Sequence, residues 1–177
     1  MGERRPSTCL LFQTTPVMRL FIVLLFSGLF TQMALAQHPE EAAVLAVTQQ
    51  IFDGINQKNG DLIRSAMVPE GMVMATFQQE GTHRARFTSA EDFISQVDNP
   101  PQEFHERMFE TTVHIQKGIA VVWAAYDFHL DGAFSHCGID NFSLVKIGEE
   151  WKVVSLTYTV EMEGCAKRPP IERGSDG

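Results

Sequence analysis

The stretch Ile119-Ala120-Val121-Val122-Trp123-Ala124-Ala125-Tyr126-Asp127-Phe128-His129-Leu130, then Asp131-Gly132, then Ala133-Phe134-Ser135-His136-Cys137-Gly138-Ile139-Asp140-Asn141-Phe142-Ser143-Leu144 decides the fold of this chain. Two runs rich in β-branched and aromatic residues flank an Asp-Gly pair, a strong hairpin signal because both turn positions must tolerate positive φ. Lys117-Gly118 on one side and Gly148-Glu149 on the other are further short loops. The reading is a four-strand antiparallel meander over Phe104–Ile115, Ala120–Leu130, Phe134–Ile147 and Trp151–Met162.

Upstream, the period changes from two to about 3.6. Val44, Val47, Ile51 and Ile55 recur at helical spacing from Pro39 to Asn56, with Glu40 and Glu41 at the positive end of the helix dipole. Asn59-Gly60 stops that helix, and Asp61 caps a short second one through Leu62, Ile63, Ala66 and Met67, ahead of Pro69. Met72–Gln78 and His83–Thr88 read as strands around the Glu80-Gly81 turn. Ser89 caps a third helix with Phe93, Ile94 and Val97 as its apolar stripe, ended by Asn99-Pro100-Pro101. Residues 166–177 are polar, carry Pro169-Pro170, and read as a disordered tail.

The whole chain has 177 residues, 44% hydrophobic and 20% charged, the composition of one ordinary globular domain. Lys and Arg number 14 against 22 Asp and Glu, a formal charge of -8, which excludes nucleic-acid binding through a clustered positive field and disfavours anionic membrane surfaces. Residues 20–30 form an uncharged apolar run behind Arg19, and Ala34-Leu35-Ala36 is a small-x-small cleavage site, so residues 1–36 read as a secretory signal peptide. Either Met1 or Met18 is the start on this reading. The apolar run is too short to span a bilayer, and no lipobox cysteine follows it, so the expected product is an exported, unanchored domain over 37–165, periplasmic or extracellular. Cleavage removes Cys9 and leaves Cys137 and Cys165 in an oxidising compartment, where a disulfide between them is expected.

Helices first, a strand pair, a third helix, then a meander ending in Gly148-x-x-Trp151-Lys152-Val153-Val154: this order resembles the nuclear transport factor 2-like (NTF2-like) superfamily over residues 39–163. Asn59-Gly60-Asp61, Val122-Trp123-Ala124-Ala125-Tyr126, His136-Cys137-Gly138 with Phe142, and Trp151-Lys152-Val153-Val154 are similar to its exported SnoaL-like or lumazine-binding-like bacterial branch. The resemblance implies an α+β cone: a curved, mostly antiparallel sheet of about six strands closed by three N-terminal helices. It also implies a homodimer, sheet against sheet. Because the superfamily hosts isomerases, dehydratases, epoxide hydrolases, polyketide cyclases and non-catalytic binders, fold alone does not select a chemistry.

Strand register supplies the candidate site. A two-residue Asp131-Gly132 loop places Asp127 opposite His136, His129 opposite Phe134 and Trp123 opposite Asp140. A two-residue Gly148-Glu149 loop places His136 opposite Glu161, Asp140 opposite Thr157 and Phe142 opposite Ser155. One face then gathers Asp127, His129, His136, Asp140, Thr157 and Glu161, with Trp123, Phe142 and Leu144 as wall. On that face Asp127 orients His136 as a general base and Asp140 or Glu161 is its acid partner.

The other face, with Val122, Ala124, Tyr126, Phe128, Ile139 and Tyr158, is apolar and needs a cover, either the chain's own helices or a second subunit. With a subunit as cover, the Asp127/His136 face lines the pocket. With the helices as cover, that face meets solvent, and Tyr126 and Tyr158, with Asn141 and Arg107, become the first candidates. No Gly-x-Ser-x-Gly, phosphate loop, dinucleotide fingerprint, Cys-x-x-Cys or His-x-x-x-His occurs, so no cofactor and no metal site is expected. Three functions remain open: a binding protein for a small, largely apolar molecule, a cofactor-independent isomerase, cyclase or dehydratase, and a protein-interaction module using the apolar sheet.

Overall fold

A computed structural model of the protein describes residues 39–171. The expected leader over 1–36, with Met18 and Cys9, and residues 172–177 of the tail lie outside the described residues. Helix α1 spans Glu41–Gln57 and buries Val44, Ile51 and Ile55 of the expected stripe together with Thr48 and Phe52, while Val47 is half-buried. Glu40 sits at its N-terminus, where its carboxylate accepts from Lys146 Nζ and Trp151 Nε1, both at 2.9 Å, and ties the helix start to the last hairpin. Helix α2 spans Gly60–Ala66. Its cap is Asn59, two residues before the expected Asp61, and its side chain accepts from the Asp61 amide at 3.1 Å. Helix α3, Ala90–Asp98, opens as expected on Ser89, whose Oγ accepts from the Asp92 amide.

The strands are β1 Met67–Gln79, β2 Thr82–Ser89, β3 Phe104–Gln116, β4 Ile119–Leu130, β5 Ala133–Ile147 and β6 Glu150–Val160. They form one six-stranded sheet in the order β2-β1-β6-β5-β4-β3, antiparallel except where β1 meets β6. This is the expected α+β cone of three helices and a mostly antiparallel sheet. The hairpin turns fall where positive φ is available, at Lys117, at Asp131-Gly132 and at Gly148.

The helices cover the face that carries Val122, Ala124 and Tyr126, all at most 3% exposed. Phe52 of α1 packs on Phe142 of β5, ring centroids 5.9 Å apart, and Leu144, Val153 and Trp151 complete the core. That apolar face is therefore interior, and it is not available to recruit a partner.

Two β-bulges set which residues reach it. In the β4–β5 pair the register follows the Asp131-Gly132 turn for Leu130↔Ala133 and His129↔Phe134, then shifts so that Phe128 faces His136 and Asp127 faces Cys137. Ser135 is the extra residue. In the β5–β6 pair the shift falls between Ser143 and Leu144, with Val154 the extra residue, so Phe142 faces Leu156 and Asp140 faces Tyr158. An odd insertion in a period-two strand transfers everything beyond it to the other face. Asp140, Phe142 and Leu144 thereby join Val122 and Ala124 in the interior, where two large apolar side chains are removed from water.

β6 ends beside Cys137, which exchanges two backbone hydrogen bonds with Glu161. Gly164, at φ 75°, turns the chain back, and Cys165 forms the expected disulfide with Cys137, Cα–Cα 5.9 Å. Residues 166–171, assigned on composition to a disordered tail, make specific contacts with β3. Arg107 Nη1 donates to the Pro169 carbonyl at 2.8 Å, and Arg168 lies 4.3 Å from the Phe109 ring centroid while pairing with Glu110.

Candidate functional site

Between the sheet and helices α1 and α3 lies a cavity of about 220 Å³. Ile55 of α1, Phe93 and Val97 of α3, and Val73, Phe104, Phe128 and Leu156 of the sheet give it apolar walls. Glu106 of β3, Tyr126 of β4, His136 and Asp140 of β5 and Tyr158 of β6 supply its polar groups, with Arg86, Thr88 and Gln96 on the β2–α3 side. An apolar concavity with a few convergent polar groups is the usual form of a small-molecule site.

Local structure positions each group. Asn56, in the last turn of α1, holds the backbone of Glu106 from both sides: its Oδ1 accepts from the Glu106 amide at 2.7 Å and its Nδ2 donates to the Glu106 carbonyl at 2.9 Å. The Ser135 bulge turns His136 inward, where its ring packs between Phe128 and Tyr126 at centroid distances of 5.0 and 5.7 Å, with Nδ1 3.0 Å from Ser135 Oγ. Tyr126 donates its hydroxyl to the Thr159 carbonyl at 2.6 Å. That path crosses Gly138, where a Cβ would fall on the Thr159 carbonyl oxygen and 2.6 Å from Tyr126 Cε1, so a side chain has no room there. Asp140 is 1% exposed, and its Oδ2 has no hydrogen-bond partner.

Enclosure governs the protonation states. Burial, then the nearby Asp127 charge, pushes the Glu106 carboxyl up to about 8. Burial and the Glu106 charge likewise hold Asp140 well above the usual carboxylate range. Burial lowers His136, so its imidazole is neutral at pH 7. The two tyrosines are raised, chiefly by burial, and Arg86 beside the Tyr158 hydroxyl partly offsets this. At neutral pH the cavity holds a protonated Glu106, the reverse of a carboxyl's ordinary state in water, beside an imidazole kept uncharged.

A family model described as "Putative lumazine-binding" matches residues 39–159. The chain belongs to this family. Among solved structures, the lumazine-binding-like domain is similar to an NTF2-like protein of unknown function from Shewanella baltica, 18% identical, with a TM-score of 0.54 over 70% of this chain and 95% of that one. An NTF2-like protein from Cytophaga hutchinsonii is 9% identical, with a TM-score of 0.58 over 70% and 99% of the two chains. A protein described as a putative scytalone dehydratase, from Novosphingobium aromaticivorans, is 11% identical, with a TM-score of 0.54 over 76% and 94%. At these identities the likeness establishes the fold, the NTF2-like cone. No curated protein matches the chain.

The lumazine-binding-like domain divides the residues expected to share one face. His136, Asp140 and Tyr126 line the cavity, and Phe142 lies in the core beside it at 1% exposure. Asp127, His129, Trp123, Thr157 and Glu161 belong to the outer face of the sheet. Asp127 faces Cys137 and is held by Arg107, so it does not orient His136. His129 packs under Phe134 with its Nδ1 3.8 Å from Asp127 Oδ1, and burial lowers it. Trp123 is half exposed and faces Asn141, not Asp140. Glu161 is exposed and faces Cys137, not His136, while Thr157 faces Asn141, not Asp140. These departures have one cause: in each hairpin a bulge lies between the turn and the residues concerned.

Of the candidates for a helix-covered cone, Tyr126 and Tyr158 line the cavity, whereas Asn141 and Arg107 turn outward. Glu106, Arg86 and Gln96 were not foreseen. Glu106 had a signal: Phe104-x-Glu106-x-Met108 places a single carboxylate within an alternating apolar set.

Proposed function

We propose that this domain is an exported binding protein for a small, largely apolar molecule held in the cavity between the sheet and helices α1 and α3. The observation that carries the reading is Asp140: a carboxyl nearly sealed from solvent, with Oδ2 unpartnered, on a wall otherwise made mostly of apolar side chains. Buried polar groups without partners are rare in native proteins, and a ligand supplies the missing bond. The family description adds a flat heterocycle, lumazine, as a first probe. An amide NMR titration with lumazine and with small aromatic alcohols tests the reading. Shifts confined to residues around Tyr126, His136 and Tyr158 support it, and shifts only around Trp123, or none, overturn it.

Export is supported by the Cys137–Cys165 disulfide and by the leader pattern, and no helix among the described residues is long and apolar enough to cross a membrane. Recovery of the chain, cleaved after Ala36, from outside the cytoplasm of its own host tests this. The homodimer is proposed through the outer face, where Ile119, Val121 and Trp123 of β4 expose 60%, 37% and 50% of their surface. Sedimentation equilibrium reads the state, with Trp123→Glu expected to give a monomer.

A second reading, cofactor-independent proton transfer by an isomerase, cyclase or dehydratase, is favoured by the pairing of a neutral His136 with a protonated Asp140 on one strand face. Four residues apart on β5, they stand about 13 Å apart along the strand and would meet opposite ends of a ligand, His136 as base and Asp140 as acid. Likeness in fold to the scytalone dehydratase-like protein suits that chemistry. Loss of turnover in His136→Ala with ligand binding retained separates catalysis from binding.

A further inference from the structure

The cavity holds two carboxyl groups, and among the described residues neither forms an ion pair. Asp140 is sealed and unpartnered at Oδ2, and Glu106, held in place by the Asn56 clamp on its backbone, lines the same cavity close enough for its charge to disfavour ionisation of Asp140. Several of the groups around them are otherwise committed. Tyr126 gives its hydroxyl proton to Thr159, His136 Nδ1 meets Ser135, and Arg107 is spent on Asp127 and Pro169 on the outer face. Arg86, the one cationic side chain lining the cavity among the described residues, is exposed on β2 and stands by the Tyr158 hydroxyl. The helices contribute Ile55, Phe93, Gln96 and Val97, none of them charged. Around the carboxyls stand aromatic rings, with Phe104 on Phe128 at 5.4 Å and Tyr126 on Tyr158 at 6.2 Å.

Acidic groups set among aromatic faces are what a desolvated ammonium seeks: carboxylate oxygens accept its protons, and ring faces stabilise its charge. A neutral alcohol would satisfy one oxygen and leave the acids un-ionised, an anion would have to share the site with carboxyl groups able to ionise, and an ammonium can draw off one acid proton and pair with the carboxylate it leaves. We propose that the ligand of this cavity is a protonated amine on an apolar, aromatic body, its ammonium group lodged against Asp140 and Glu106. This rests on the cavity being a ligand site. Binding is written as an ammonium meeting a carboxylic acid to give an ammonium–carboxylate pair, the acid's proton leaving to the buffer.

Titration calorimetry of the domain with phenethylamine, phenethyl alcohol and phenylacetate tests the inference. The amine is expected to bind roughly tenfold to a hundredfold tighter than the alcohol, the ratio a charge-assisted hydrogen bond confers, and phenylacetate weakest. At about pH 7 the heat should vary with the ionisation enthalpy of the buffer by close to one proton released, because Glu106, raised to about 8, starts protonated. Asp140→Asn and Glu106→Gln should each bring the amine toward the alcohol, with the alcohol, which an amide can still hydrogen-bond, changing by much less than the amine. If one variant fails to fold, the other decides. Equal affinity for amine and alcohol, or an amine preference untouched by both variants, overturns the inference while leaving the cavity reading intact. Failure of all three compounds to bind overturns both.

Discussion

Arg107 grips Asp127 with two hydrogen bonds, Nε to Oδ1 at 3.0 Å and Nη2 to Oδ2 at 2.6 Å, on the side of the sheet turned away from the cavity. Asp127 has only 5% of its side chain exposed and Arg107 22%, so the pair is largely desolvated. Removing one partner of such a pair leaves the other uncompensated. Arg107→Ala is expected to destabilise the fold by about 2–4 kcal/mol and leave cavity ligands bound as before. Chemical denaturation and a binding titration on the same variant check both halves, and a selective loss of binding would restore Asp127 to the site.

Gly138 is required by the Tyr126–Thr159 contact. Gly138→Ala places a methyl on the Thr159 carbonyl and against the Tyr126 ring, so about 2–4 kcal/mol of stability should be lost through displaced backbone. Tyr126→Phe should cost about 1–2 kcal/mol, because it removes the donor and leaves the carbonyl in place. Denaturant midpoints measured side by side test the order of the two. A Gly138→Ala protein as stable as wild type would refute the packing argument.

Stability should depend on pH in two opposed ways. Glu106 and Asp140 have raised folded values, so the folded state keeps protons the unfolded chain has lost, and their contribution declines as pH rises from about 4 to about 8. His136 and His129 have lowered values, so their neutral forms favour the fold as pH rises through about 6. Glu106→Gln and Asp140→Asn should each raise the melting temperature more at about pH 8 than at about pH 5, by about 1–3 kcal/mol of stability at the higher value. Thermal melts of the three proteins across that range are the measurement. A gain equal at both pH values would show that burial is not what raises these acids.

The Cys137–Cys165 bridge closes a 28-residue separation and carries the segment bearing Arg168 and Pro169 onto β3. Closing a loop of that size in the unfolded chain stabilises the fold by about 3–4 kcal/mol on the chain-entropy account. Reduction, or Cys137→Ser with Cys165→Ser, should lower the melting temperature by roughly 10 °C. It should also increase amide exchange along the edge strand β3, read by hydrogen-exchange mass spectrometry. Unchanged exchange at Phe109 and Glu110 would mean that the tail contacts persist without the bridge.

Local chemistry sufficed for the elements. Asp131-Gly132 makes a hairpin turn wherever it stands between strands, Ser89 caps a helix because its hydroxyl accepts an orphan amide, and the 3.6-residue recurrence of Val44, Ile51 and Ile55 has one stable use, burial against a sheet. Cys137 and Cys165, the two cysteines of the folded domain, were legible as a bridge. The inward or outward aim of His136 and Asp140 was not. It depends on a single extra residue at Ser135 and another at Val154, and a bulge leaves no mark in composition or period. Only the assembled sheet weighs its cost against the burial of Phe142 and Leu144 under α1. For the same reason Glu106, from a strand whose pairing lies far from the Asp131 turn, meets Asp140 only in three dimensions. The sequence by itself determined the cone, its elements and its disulfide; tertiary packing decided which carboxyls, and which histidine, look into it.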